Sequence, residues 1–361
     1  MARSILRAGK IAGVVIVAII VVATVLYSAG VLSVAQTQLP PSEATGSAEL
    51  TSDAAPATSP MPQPDADIIW SVAFSSPSRR MAVSAGPDED HTSLYVNSAN
   101  APANFQVYWS SDTEVHGVVS LAWSHNENSL AFIGMSGSRT TKTAEVWLYV
   151  LDVVSGEIRK VLKIGEAIHG EERRLVNVDE DRAVLAWFGN NKVCMPTRDN
   201  SIIAVDCNDG HIETLVPAQD CKIWGSVSVS SNKLRFLKKR PSPSGKGWEL
   251  EVCDFNGSEV IKHGIMPISS EKSFSEGLSA DGKYVFIIMF DMEEPGHSKT
   301  SIFDVSQKTL VKEIPLAVNR NSQTYGYTPV TVLEGEQLVL FEVKMQMDKS
   351  SPRRRLCTIK L

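Results

Sequence analysis

Seven histidines, five cysteines and three acidic clusters are the groups in this 361-residue chain with the chemistry to hold a metal or act on a substrate. The histidines, His91, His116, His125, His169, His211, His263 and His297, fall one at a time. No H-x-H or H-x-x-x-H pair supplies the local spacing that metal sites draw on. Asp88-Glu89-Asp90, Asp179-Glu180-Asp181 and Asp291-Met292-Glu293-Glu294 offer the oxygen ligands calcium takes, but none carries the D-x-[DN]-x-[DN]-G loop, and acids in a surface turn are satisfied by water. A nucleophile elbow needs G-x-S-x-G on a strand-to-helix turn. The nearest string, Gly134-Met135-Ser136-Gly137-Ser138, lacks the second glycine at that spacing and precedes no helical pattern. These residues name no catalytic group, no metal site and no cofactor.

The chain that carries them opens on a basic segment, residues 1–10, with Arg3, Arg7 and Lys10. Ile11 to Ala35 follows, 25 residues without a charge. At 1.5 Å per residue this crosses a hydrocarbon core of about 30 Å as a helix. The positive flank stays in the cytoplasm and the remainder is exported. A cleaved signal peptide competes, because Ser33-Val34-Ala35 resembles a small-x-small cleavage site. The apolar run exceeds the ~7–15 residues of a signal core, which favours a retained single-pass anchor. Residues 36–67, rich in Ala, Ser, Thr and Pro, bury too little surface to offset their ordering entropy and read as a disordered linker. The three basic residues contribute +3 to a net charge of −6, so everything beyond the apolar run carries about −9. A surface of that sign excludes nucleic acid as a partner.

From residue 68 to 361 the pattern is all-β. Gly117 to Gly165 reads as a four-stranded antiparallel meander, its β-branched and aromatic runs separated by turn-forming residues. The unit recurs, with the second strand starting at Met81, Leu130, Val184, Leu234, Val285 and Leu338, at spacings of 49, 54, 50, 51 and 53. Six twisted sheets, apolar on both faces, stack radially and close as a six-bladed β-propeller, which also protects their edges. The sixth unit ends on its third strand. Either the segment around Met61 to Asp67 supplies the fourth, or the last blade has three.

Ser279-Ala280-Asp281-Gly282-Lys283-Tyr284-Val285 resembles the S-P-D-G-K-x-[apolar] signature of the TolB-type, WD40-like propeller repeats. Phe74-Ser75-Ser76-Pro77-Ser78 and Trp123-Ser124-His125-Asn126 are weaker copies, and blades three, four and six depart from it. The resemblance covers about residues 70–361 at the level of the repeat. It implies a six-bladed ring, in a family whose members are mostly exported binding or scaffolding proteins or propeller domains attached to peptidases.

On that frame, Cys194 lies in the loop between strands two and three of blade three, and Cys221 in the next inter-blade connection, on the same face. They form the candidate disulfide of an exported domain with five cysteines. The long connections, Met135 to Thr143, Lys239 to Gly247, Asp291 to Lys299 and Ala317 to Tyr327, also share that face. Loops around the channel mouth vary without disturbing the sheets. His116, His169, Trp224, Tyr325 and Tyr327 are the candidate contacts there. The functional reading is a membrane-anchored, periplasmic or extracellular propeller that binds a protein partner in a cell-envelope assembly. The alternative is an enzyme, such as a lyase, cyclase or glycan hydrolase, with its site in the same loops.

Overall fold

The computed structural model describes residues 59–66, 68–75, 78, 80–88, 91–98, 100–109, 117–136, 144–168, 171–174, 185–197, 199–218, 222–230, 233–242, 248–256, 260–268, 274–279, 281–289, 299–315, 324–333, 337–344 and 353–361. Ile11 to Ala35 lies outside them. Among the described residues no helix is long and apolar enough to cross a membrane.

The strands are β1 (Ser59–Pro60), then β2 (Ile68–Phe74), β3 (Met81–Asp88), β4 (His91–Ser98) and β5 (Ala101–Trp109) of blade one. Blade two holds β6 (Val118–Trp123), β7 (Ser129–Ser136), β8 (Ala144–Asp152) and β9 (Ile158–Ile168), with β10 (Glu171–Arg174) added outside β9. Blade three holds β11 (Ala186–Phe188), β12 (Lys192–Pro196), β13 (Ile202–Asp206) and β14 (Ile212–Val216). Blade four holds β15 (Lys222–Ser230), β16 (Lys233–Pro241), β17 (Trp248–Phe255) and β18 (Val260–Ile268). Blade five holds β19 (Phe274–Leu278), β20 (Tyr284–Met289), β21 (Lys299–Asp304) and β22 (Thr309–Pro315). Blade six holds β23 (Thr324–Leu333), β24 (Gln337–Lys344) and β25 (Arg353–Lys360), with β1 as its fourth strand. All pairs are antiparallel.

Period-two alternation inside continuous apolar runs makes these sheets stack. On β7, Leu130 and Phe132 pack toward blade one, and Ala131, Ile133 and Met135 pack toward blade three. The described residues form six such buried clusters, one at every junction. The one between blades six and one, where Val339, Phe341 and Leu356 meet Ile69, Met81 and Val83, closes the ring. Side chains also staple blade to blade. Trp123 Nε1 donates to the Ala73 carbonyl at 3.2 Å, and Trp187 Nε1 to the Ala122 carbonyl at 2.8 Å. Arg235 Nη1 reaches the Gly282 carbonyl at 2.7 Å.

The serine that recurs at the end of the first strand in blades one, two and five has a local reason. The hydroxyls of Ser75, Ser124 and Ser279 accept the N–H groups of Arg80, Ser129 and Tyr284, each five residues on, at 2.8, 2.9 and 2.9 Å. The turn between the first two strands therefore folds alike in blades one, two and five. At the other hairpin, Asp152, Asp206 and Asp304 accept backbone N–H groups of the following turn at 2.8–2.9 Å. Those turns end on Gly156, Gly210 and Lys308, with φ of 77°, 75° and 56°.

One expectation changes, and of the two alternatives for the sixth blade the four-stranded one holds. The second strand of blade three is β12, and the one expected to start at Val184, which lies outside the described residues, belongs one hairpin later. The sixth blade takes its fourth strand from the linker composition. Ser59 pairs with Thr358 and Pro60 with Cys357, and Met61 N–H donates to the Leu356 carbonyl at 3.2 Å. The Gln63 carboxamide oxygen accepts the Leu356 N–H at 2.9 Å, ending the ladder with a side chain.

Candidate functional site

The first strands of all six blades run in one direction, away from the face onto which the connections between second and third strands open. Near that end, four of them carry a bulge. The register breaks between Ile69 and Ser71 in β2, Val119 and Leu121 in β6, Ile223 and Val227 in β15, and Thr324 and Gly326 in β23. The positions that the ladder register skips include Trp70, Ser120, Trp224 and Tyr325. Each stands second or third in its strand, so the four lie at one level of the channel wall. A bulge disrupts the ladder, bends the strand and re-aims the residue it releases, which is why bulges favour barrel rims and sites. Ser120 shows the distortion in its φ of 53°, and it is buried.

Blade five has no bulge at this level and carries a carboxylate instead. Glu276, third in β19, is buried and pairs with Lys239 Nζ of blade four at 3.5 Å. Lys239 Nζ also lies 4.9 Å from the centre of the Trp248 ring. A buried carboxylate facing an ammonium ties the two blades together under the channel mouth.

The structure distributes the sequence candidates unevenly. Trp224 and Tyr325 occupy bulges, whereas Tyr327 is paired with Glu342 inside β23 instead of standing in a loop. His116 lies outside the described residues. So does His169, which in the sequence falls between β9 and β10. Cys221 is likewise outside. Cys194 is not in a loop: it pairs with Ala186 and Ala204 in the middle of β12, fully buried, as a free thiol. Burial pushes its thiol pKa far up. Of the acidic clusters, Asp88 pairs with His91 across the β3–β4 hairpin. Among the described residues no group of three His, Cys, Asp or Glu is placed to hold a metal.

Sequence reading missed Trp70 and Ser120. The signal for Trp70 was present, since Trp70-Ser71-Val72 and Trp224-Gly225-Ser226-Val227 both put tryptophan just ahead of an alternating first strand. Ser120 has none, because nothing in Val-Ser-Leu marks a left-handed residue.

No protein-family model matches the chain, and no curated protein does either. Solved structures are similar in fold. An oligogalacturonate lyase in complex with manganese is 11% identical, with 80% of this chain and 76% of that one covered at a TM-score of 0.48. The Cps50 (Swd1) β-propeller domain of Myceliophteria thermophila is 10% identical over 84% of this chain and 100% of its own, at 0.47. The β-propeller domain of the Trilobed protease from Pyrococcus furiosus is 12% identical over 81% and 92%, at 0.42. The likeness is that of a β-propeller.

Proposed function

We propose that this chain is an exported protein-binding module of a cell-envelope assembly, held to the membrane by Ile11 to Ala35, which receives its partner at the bulged end of the propeller channel. The observation that carries this reading is the row of register breaks at one level of the wall, three of them at aromatic positions: Trp70, Trp224 and Tyr325. Aromatic residues give contact area at low entropic cost, and bulges free them from the ladder. On the opposite face, the described turns of blades one, two, three and five have N–H groups already satisfied by Ser75, Ser124, Ser279, Asp152, Asp206 and Asp304. The strand β1 starts on that opposite face.

The test places a photo-crosslinking amino acid at Trp224 or Tyr325 of the full chain in cells, with the highly exposed Val154 of the opposite face as control. We expect an envelope protein to be captured from Trp224 and Tyr325 but not from Val154, and capture at Tyr325 to be lost on adding Trp70→Ala. Equal capture from both faces, or none, overturns the reading. Alkaline extraction checks the anchor: the chain stays with the membrane, and deletion of residues 11–35 releases it.

A further inference from the structure

The outer strand of blade one differs in kind from those of the other blades. β5, Ala-Pro-Ala-Asn-Phe-Gln-Val-Tyr-Trp, has nine residues and no charge. It is the last strand of its sheet, so its outer backbone edge has no strand partner among the described residues. Every other outermost strand of more than two residues, β10, β14, β18 and β22, carries a charged residue. On β14 and β22 these engage in ion pairs, Lys192 with Glu213 and Lys299 with Glu313. Charge on an edge is one defence against pairing with another strand, and β5 lacks it; its Pro102 and the register break between Asn97 and Ser98 sit at its first residues and leave Phe105 to Trp109 open.

The surface beside this edge is shaped as well as uncharged. β4 and β5 lose register between Asn97, which opposes Phe105, and Ser98, which opposes Ala101. Pro102, Ala103 and Asn104 are left over, and a recess of about 400 Å³ opens among Arg80, Val96, Ser98, Asn104, Gln106 and Tyr108. Arg80 Nη1 is committed to the Glu127 carbonyl at 3.2 Å, and the Tyr108 hydroxyl to the Val153 carbonyl at 3.0 Å. The side chains of Asn104 and Gln106 are exposed and have no hydrogen-bond partner among the described residues.

We propose that β5 is a dimerisation edge, on which β5 of a second copy of this chain pairs antiparallel about Phe105. In a two-fold interface residue i meets j and j meets i. Centred on Phe105, that rule sets Asn104 opposite Gln106 of the other copy twice over, and the two aromatic rings opposite each other. Carboxamides donate and accept, so they are self-complementary where like charges would repel. The recess beneath them leaves room for the added side chains. This edge is separate from the channel mouth, and the inference stands independently of the partner proposed there.

The test is a charge exchange at two exposed positions, read by multi-angle light scattering and sedimentation of the full chain in detergent. The wild type forms a concentration-dependent dimer. N104K/Q106K sets lysine opposite lysine and weakens dimerisation at least tenfold with the thermal midpoint unchanged. N104K/Q106E sets lysine opposite glutamate and restores the dimer. A monomeric wild type, for instance because the edge is reserved for an extended segment of a different protein, overturns the proposal. So does a dimer that N104K/Q106K leaves intact or N104K/Q106E fails to restore.

Discussion

Replacing Arg235 with methionine removes the cation that a buried carboxylate faces. Arg235 Nε and Nη2 donate to the two carboxylate oxygens of Asp254 at 2.7 and 3.0 Å, while Nη1 crosses to the Gly282 carbonyl of blade five at 2.7 Å. The Asp254 side chain is 3% exposed and that of Arg235 21%. Breaking a buried pair from one side costs about 3–5 kcal/mol, because the remaining charge keeps its desolvation penalty. The lost bond to Gly282 adds roughly 1.5 kcal/mol. Water reaching the partly exposed site, and the methionine's own burial, offset part of this, so the net is about 3 kcal/mol. An unfolding entropy of ~2.1 cal/mol/K per residue gives the propeller roughly 0.6 kcal/mol/K, and the thermal midpoint falls by about 5 °C. R235M/D254L removes that carboxylate as well and recovers more than half of that fall. Thermal melts of the full chain by circular dichroism at pH 7 decide it. If R235M melts with the wild type, or the double variant does no better than R235M, the junction is not held as described.

Gly210→Ala is destabilising by about 2 kcal/mol, because the residue has a φ of 75° and its new Cβ would stand 2.8 Å from the Val161 carbonyl oxygen. Gly156→Ala, at a φ of 77° but with its nearest atom 3.9 Å away, costs about 1 kcal/mol, and urea midpoints rank the two. Lys299 Nζ at 2.6 Å, and next the Ser301 hydroxyl at 2.9 Å, hold the Glu313 carboxyl below its ordinary value. That stabilisation is present above the unfolded carboxyl pKa and is lost as pH falls through the folded one. Glu313→Gln therefore lowers the midpoint slightly at pH 7, an exposed pair contributing little, and matches the wild type at low pH. Burial pushes the Cys207 thiol up to about 12 and raises Cys194 too. Both resist iodoacetamide at pH 8 until the chain is unfolded, and non-reducing peptide mapping that joins Cys194 to Cys221 would contradict the free thiol.

The period of the blades was legible because hairpin chemistry is local: alternating strands and Ser, Asn, Asp and Gly turns announce themselves within about ten residues. Blade three slipped because LVNVDEDRAVLAWF reads as a hairpin turning at Asp179-Glu180-Asp181, whereas the true second strand, Lys192–Pro196, is five residues long and ends on a proline. Closure by Ser59 and Pro60 was hidden for a related reason. A two-residue strand binds through its backbone, and the tertiary edge of β25 selects it, not its own propensity. The candidate site was half legible. Aromatic type pointed to Trp224 and Tyr325, but a bulge is a mismatch of two strands and has no signature in either one.

Variation between blades then separates framework from function. Where three blades share one solution, as at the serines 75, 124 and 279 or the aspartates 152, 206 and 304, the residue serves the turn, and its replacement should read out as stability. Where the blades disagree at one level of the wall, with tryptophan in blades one and four, a left-handed serine in blade two, an ion-paired glutamate in blade five and tyrosine in blade six, no common packing need explains the choice. A sixfold frame can recognise an asymmetric partner only through such departures. The same logic singles out β5, the uncharged edge among charged ones. Its departure lies on the outer wall, where a second copy can reach it without competing for the channel mouth.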